Sequence, residues 1–204
     1  MAERLILAFD TSGPHCAAAL LRGGEVVAAR EEPMTRGQAE RLMPILEALL
    51  SEGRTAWADL DAIGVGVGPG NFTGTRIAVA AARGLALGLG IPAEGVGTVE
   101  ALAAGRNVTV CLPAPRGQVH LGWRDTIRTV EPGTPWPDGW PATPTGPAAG
   151  VAAPGVEPAA SEPVAVAISR IAAARAAPGR ARPAPIYLRP ADAAPPSDPP
   201  PVVI

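Results

Sequence analysis

Two short stretches hold the side chains best suited to chemistry. Asp10, Thr11 and Ser12 close a run of apolar residues. A carboxylate and two hydroxyls at the end of a buried strand suit a metal-bound nucleotide and its phosphates. The same three residue types also bond their own backbone in a plain turn. Further on stand Gly68, Pro69 and Gly70, followed by Asn71 and Thr73. Glycine admits positive φ and proline presets φ for a turn. Asn71 or Thr73 can cap a following helix by accepting from its free N–H groups. Such a strand, loop and helix aim backbone N–H groups and the helix dipole at one point, which suits an anion. The arrangement equally suits a tightly packed chain reversal. The candidate nucleotide or anion residues are therefore Asp10, Thr11, Ser12, Gly68, Gly70 and Thr73.

Other chemistries lack their residues. The chain has no lysine, so all 17 cationic side chains are arginine. That removes the P-loop lysine and any Schiff-base lysine. The two histidines stand far apart, in no HxxH, HxxxH or HExxH spacing, so no metal ligand set is read. No GxSxG is present, and neither Cys16 nor Cys111 has a local base. A peptidase needs an activated water or nucleophile, so that activity receives no support. Both cysteines are flanked by apolar residues and read as buried free thiols in a reduced cytosol. His120, between Val119 and Leu121, reads as a satisfied strand histidine. No catalytic residue is assigned. The formal charge of −2 gives no bulk attraction to nucleic acid, which disfavours unaided binding to it. No signal peptide or membrane-length apolar run is read, so a soluble, cytoplasmic protein is expected.

The elements that would position these residues follow from the apolar pattern. Strands are expected over Arg4 to Asp10, His15 to Leu21 and Glu25 to Arg30, with a Gly23-Gly24 hairpin turn. A helix is expected over Thr35 to Gly53, opened by a Thr35–Gln38 capping box and kinked at Pro44. Leu42, Ile45, Leu46 and Leu49 share its core face. Ala39, Met43 and Leu50 widen the apolar arc beyond the ~100° that one core contact requires. That surplus faces either a partner or the chain's own second half. Trp57 follows in a short turn, and Asp61 to Val67 forms the strand into the glycine loop. The helix after the loop carries Ala80, Gly84 and Gly88 four residues apart. Interior glycines cost roughly 1 kcal/mol each relative to alanine, and the smooth face they make suits a docking helix or close packing on the chain's own sheet. A strand over Ile91 to Val96 and a short helix over Val99 to Ala104, capped by Thr98, complete a βββαβαβα order. This order implies a mixed sheet covered by helices.

Character changes beyond residue 112, since five of the 25 prolines precede it. Strands are expected over Asn107 to Leu112 and Val119 to Trp123, an irregular stretch over 132–160, a helix over Pro163 to Ala177 and a last strand over Ile186 to Leu188. Pro195 to Pro201 reads as an extended tail. The expected division is 1–105 and a smaller, proline-rich 106–204.

Several of these stretches resemble one family. GPGNFTGTR is similar to the GPGSFTGLR signature of the TsaB (YeaZ) family of tRNA threonylcarbamoyladenosine synthesis. ILAFDTS resembles that family's first strand and turn, RGQAERLMPIL its first helix, and PIYLRP its C-terminal strand. The chain departs at its hairpin, usually DARRGEVY in the family. Here Pro113 and Pro115 replace the aspartate and first arginine, Gln118 the glutamate and His120 the tyrosine. Gln38 stands where many relatives have histidine. The resemblance implies a ribonuclease H-like (actin-like ATPase) α/β fold of two lobes, each a mixed sheet with helices, the second small and degenerate. It implies a non-catalytic subunit that binds and activates TsaD for threonylcarbamoyl transfer to an adenosine beside the tRNA anticodon. TsaE would join through the complex, tRNA would be met indirectly, and a homodimer would form when the chain is alone. The interface would be Ala39, Met43, Leu50, Ala80, Gly84 and Gly88. No intrinsic cofactor is implied beyond weak ATP or ADP with magnesium, or a nucleotide at the partner interface. The alternative is an actin-like-fold ATPase or small-molecule kinase using the Asp10 turn and the Gly68–Gly70 loop.

Overall fold

The computed structural model describes residues 3–188. Three strands come first, β1 (Leu5–Asp10), β2 (His15–Arg22) and β3 (Glu25–Pro33), in an antiparallel meander. Helix α1 (Gln38–Glu52) leads to β4 (Ala62–Gly66), α2 (Phe72–Leu89), β5 (Ala93–Val96) and α3 (Thr98–Ala103). The sheet order is β3-β2-β1-β4-β5, with β4 parallel to both β1 and β5. Every residue of β1 and β4 is buried, as a central strand covered on both faces requires. This is the ribonuclease H-like arrangement that the element order implies.

Alternation along β1 divides the core in two. Leu5, Leu7 and Phe9 point into one layer with Leu42, Ile45, Leu46 and Leu49 of α1 and Ala78, Val79 and Ala82 of α2. Ala8, with Ala17 and Ala19 of β2, faces the other layer. There α5 (Val164–Arg175) packs across β1, β2 and β4. Alanines on the sheet let this helix approach closely, and Ile168 fills the layer with no exposure. The helix expected in the second lobe therefore covers the first sheet. A division at 105/106 separates the two sheets but not the helices.

The second sheet has order β8-β7-β6-β9, formed by β6 (Thr109–Pro113), β7 (Val119–Trp123), β8 (Thr126–Val130) and β9 (Pro144–Thr145). Only β6 and β9 run parallel. A single turn of helix, α4 (Ala149–Ala152), covers it, and its small core is Cys111, Val119, Leu121, Ala148, Ala149 and Ala152. The stretch 132–160 is thus mostly irregular, as its composition suggests, but contributes β9 and α4.

Some local expectations are corrected. α1 begins at Gln38 behind Gly37, whose φ of 88° only glycine adopts readily, and no side chain caps it. The Gln38 amide instead donates to the Met34 carbonyl at 3.3 Å, so the Thr35–Gln38 capping box does not form. α3 is preceded by Gly97, with Thr98 already inside the helix. Ile186 to Leu188 is not a strand. Its Ile186 N–H donates to the Val67 carbonyl at 2.8 Å, a lone bond beyond the end of β4. Pro195 to Pro201 lies outside the described residues.

Candidate functional site

β1 ends at Asp10, which is 1% exposed. One carboxylate oxygen, Oδ2, accepts from the Ser12 N–H at 3.2 Å and the Ser12 hydroxyl at 3.1 Å, and meets His15 Nε2 at 2.8 Å. The other, Oδ1, is buried without a hydrogen-bond partner among the described residues. It lies against Gly66, where any Cβ would overlap it. Glu31 Oε1 sits 3.8 Å from the second ring nitrogen of His15. Burial pulls the His15 pKa down, but the hydrogen bond and charge of Asp10, with Glu31 behind it, hold it above the ordinary 6.5. His15 is the residue of this candidate site that motif reading missed. The signal was the short β1–β2 connection, which returns the chain beside Asp10.

The glycine loop locks onto this turn. Thr11 is fully buried and its hydroxyl donates to the Gly74 carbonyl at 2.6 Å. The Asn71 N–H donates to the Ser12 carbonyl at 2.6 Å, and Asn71 Oδ1 caps α2 by accepting from the Gly74 N–H at 2.8 Å. A Cβ on Gly74 would overlap the Thr11 carbonyl oxygen. These glycines therefore serve close approach between two backbones.

Between the lobes lies a cleft of about 1140 Å³. Asp10, Ser12, His15, Gln38 and Gly70 line one wall, and Gly146 with residues 157–164 the other. Of the six candidate nucleotide residues, Asp10, Ser12 and Gly70 reach this cleft, while Thr11, Gly68 and Thr73 do not line it. Glu31, Glu157 and Glu162 join Asp10 there, and no arginine among the described residues lines it. A bare anion would meet carboxylates, whereas an anion carrying its own cation suits the wall better. Among the described residues no three His, Cys, Asp or Glu side chains gather as a metal ligand set. Burial raises Cys16 and Cys111 to about 11, so both stay thiols at neutral pH.

The second candidate surface lies on the opposite layer. α1 and α2 sit side by side on one face of the first sheet. Ala80, Gly84 and Gly88 are all exposed, and nothing stands within 4 Å of a Cβ built on Gly84 or Gly88. Close packing on the chain's own sheet is thereby excluded as the reason for these glycines. Leu87 beside them is 79% exposed, and Met43 on α1 is 37% exposed. Ala39 is exposed too. Leu50 is the exception, at 4% exposure within the core beneath α1, so it is no part of the open face. At the start of α2, Arg76 Nε donates to the Tyr187 hydroxyl at 2.8 Å and its guanidinium lies 3.8 Å from the Phe72 ring centroid. Sequence spacing gave no sign of this contact, which joins residues 111 positions apart.

No helix among the described residues is long and apolar enough to cross a membrane. Residues 31–123 match the family model described as TsaD, tRNA N6-adenosine threonylcarbamoyltransferase. No curated protein sequence matches significantly. Among solved structures, YeaZ from Pseudomonas aeruginosa superposes with a TM-score of 0.73 at 27% identity, covering 91% of this chain and 100% of that one. A second structure, described as an uncharacterized protein with similarity to peptidase YEAZ from the same organism, gives 0.70 at 28% identity with the same coverage. The chain resembles the TsaB (YeaZ) family in structure as it does in its motifs.

Proposed function

We propose that this chain is a non-catalytic subunit that binds and activates a TsaD homologue for threonylcarbamoyl transfer to adenosine in tRNA. The matches to YeaZ and to a tRNA threonylcarbamoyltransferase family support a role in tRNA modification. The observation that carries the partner reading is the open face of α2. Gly84 and Gly88 each weaken the helix, yet nothing among the described residues uses the space. A smooth helical stripe flanked by the exposed Leu87 and Met43 suits a helix of another protein. Ala39, Met43, Ala80, Gly84 and Gly88 are its proposed contacts.

The direct test is reconstitution. TsaD homologue, TsaE homologue, tRNA and threonylcarbamoyl adenylate are mixed with and without this chain, and modified tRNA is counted. Transfer that requires the chain supports the reading. Equal transfer without it contradicts the reading.

A second reading rests on Asp10. Its buried Oδ1 has no partner among the described residues, and its side chain reaches a cleft large enough for a nucleotide. Magnesium with ATP or ADP would be held by Asp10, with Ser12 and the Gly70 backbone beside the phosphates, and the cation would supply the charge that the carboxylate-lined wall lacks. Steady ATP turnover by the isolated chain, abolished by Asp10→Asn, would favour an ATPase or kinase over the subunit.

A further inference from the structure

The chain is poor in aromatics, yet Trp123, Trp136 and Trp140, three of its four tryptophans, fall within one stretch of the second lobe. Trp123 closes β7 and Trp140 lies in the loop after β8. Their ring centroids are 5.9 Å apart, tilted by 50°. The Arg124 guanidinium lies 4.4 Å from the Trp123 ring centroid and that of Arg128 lies 5.8 Å from the Trp140 ring centroid. The result is a ladder beside β7 and β8, with an exposed cation at each end and two half-buried indoles between. Trp140 and Trp136 also pack on the small core of this lobe. Trp123 is half-buried outside the apolar clusters, rests against Trp140, and donates its Nε1–H to Asn107 Oδ1 at 3.1 Å. Asp125 and Asp138 are near in sequence, but neither pairs with these arginines. Neither guanidinium makes a hydrogen bond or ion pair among the described residues.

We infer that this ladder binds single-stranded RNA. The outer faces of the two guanidinium planes, backed by the indoles, stack on unpaired bases without choosing among them. The N–H donors of Arg124 and Arg128, held in place by the rings and unused, fit phosphate oxygens. Duplex RNA offers few free base faces, so unpaired loops are the favoured form. The local ladder acts despite the net charge of −2, because phosphate contacts are made residue by residue. The inference goes beyond the partner reading, since the ladder lies on the second lobe and the open helices on the first.

The test titrates the full chain against a labelled RNA hairpin with an unpaired loop and against a blunt duplex of the same stem. The looped RNA is expected to bind more tightly and to quench tryptophan fluorescence. Arg124→Gln with Arg128→Gln is expected to weaken it about tenfold and to flatten the salt dependence of log affinity by about 1.4. Trp123→Leu is expected to remove most of the quenching. Both arginines are exposed, so the double variant should fold, as circular dichroism will show. The TsaD homologue should still bind it. Unchanged RNA affinity in the double variant, absence of binding by either RNA, or equal binding of loop and duplex without quenching would each overturn the inference. Loss of the TsaD homologue with RNA affinity unchanged would mark the ladder as a protein contact instead.

Discussion

Asp10 and the glycines around it set the tolerance of the first lobe to single changes. His15, held by Asp10, has its pKa raised above 6.5, so the protonated ring stabilises the folded state. That contribution is complete below the unfolded value of about 6.5 and is lost as pH rises through the raised folded value. Urea unfolding from pH 5.5 to 8.5 should show wild type losing more stability than His15→Gln, and parallel curves would refute the pairing. Gly74 and Gly84 separate two uses of glycine that look alike in sequence. At Gly74 a methyl group meets the Thr11 carbonyl. Overpacking of about 1–3 kcal/mol outweighs the helix gain of up to about 1 kcal/mol, so Gly74→Ala should destabilise. At Gly84 the space is open, so Gly84→Ala should stabilise by up to about 1 kcal/mol. Urea midpoints that move the same way for both would contradict the assignment. The pairing of Asp10 with His15 was hidden because motif reading treats each strand end alone, whereas the contact arises from a turn that brings two ends together.

At the scale of elements, the first lobe was legible, as were β6, β7 and α5 beyond it, whereas β8, β9, α4 and the place where α5 packs were not, for physical reasons. Continuous apolar runs at Leu5–Asp10 and Ala62–Gly66 marked buried central strands. Period and glycine turns then placed the meander and two helices. The α2 cap was readable because Asn71 precedes the helix by the ordinary spacing. The α1 cap was misread because Thr35 and Gln38 match a capping pattern, while Gly37 between them takes a left-handed turn that starts the helix later. Leu50 was misplaced because an apolar arc on a helix does not say which of its edges the sheet covers. The destination of α5 was unreadable, since its alanine-rich faces differ little and only the tertiary fold selects one. Packing between distant segments was equally silent, as the Phe72, Arg76 and Tyr187 contact shows. Tyr187→Ala should loosen residues 181–188 without unfolding the lobe, because Tyr187 is 43% exposed and contacts the start of α2 through Phe72 and Arg76 rather than the core. Faster hydrogen exchange at the Ile186 amide with an unchanged urea midpoint is the expected result. A large drop in the midpoint would place this segment in the core instead.

At the scale of the whole molecule, α5 returns from beyond the second sheet to cover the first, so the inner layer of the first lobe is closed by its own chain. The outer layer is left open among the described residues. α1 bears Ala39 and Met43, and α2 bears Ala80, Gly84, Leu87 and Gly88, all exposed on one side. A second copy of the chain or a TsaD homologue can use this face, and only the second explains a role in threonylcarbamoyl transfer. The interlobe cleft lies apart from it, so a change on α2 tests the docking face without touching Asp10 or the glycine loop. The measurement that bears most directly on the central claim is light scattering after size exclusion, for wild type and Gly84→Leu, each with and without the TsaD homologue. The proposal predicts a one-to-one complex with wild type and none with Gly84→Leu, whose melting temperature should not fall because the added side chain meets open space. No complex with wild type at micromolar concentrations, or an undiminished one with a folded Gly84→Leu, would contradict it.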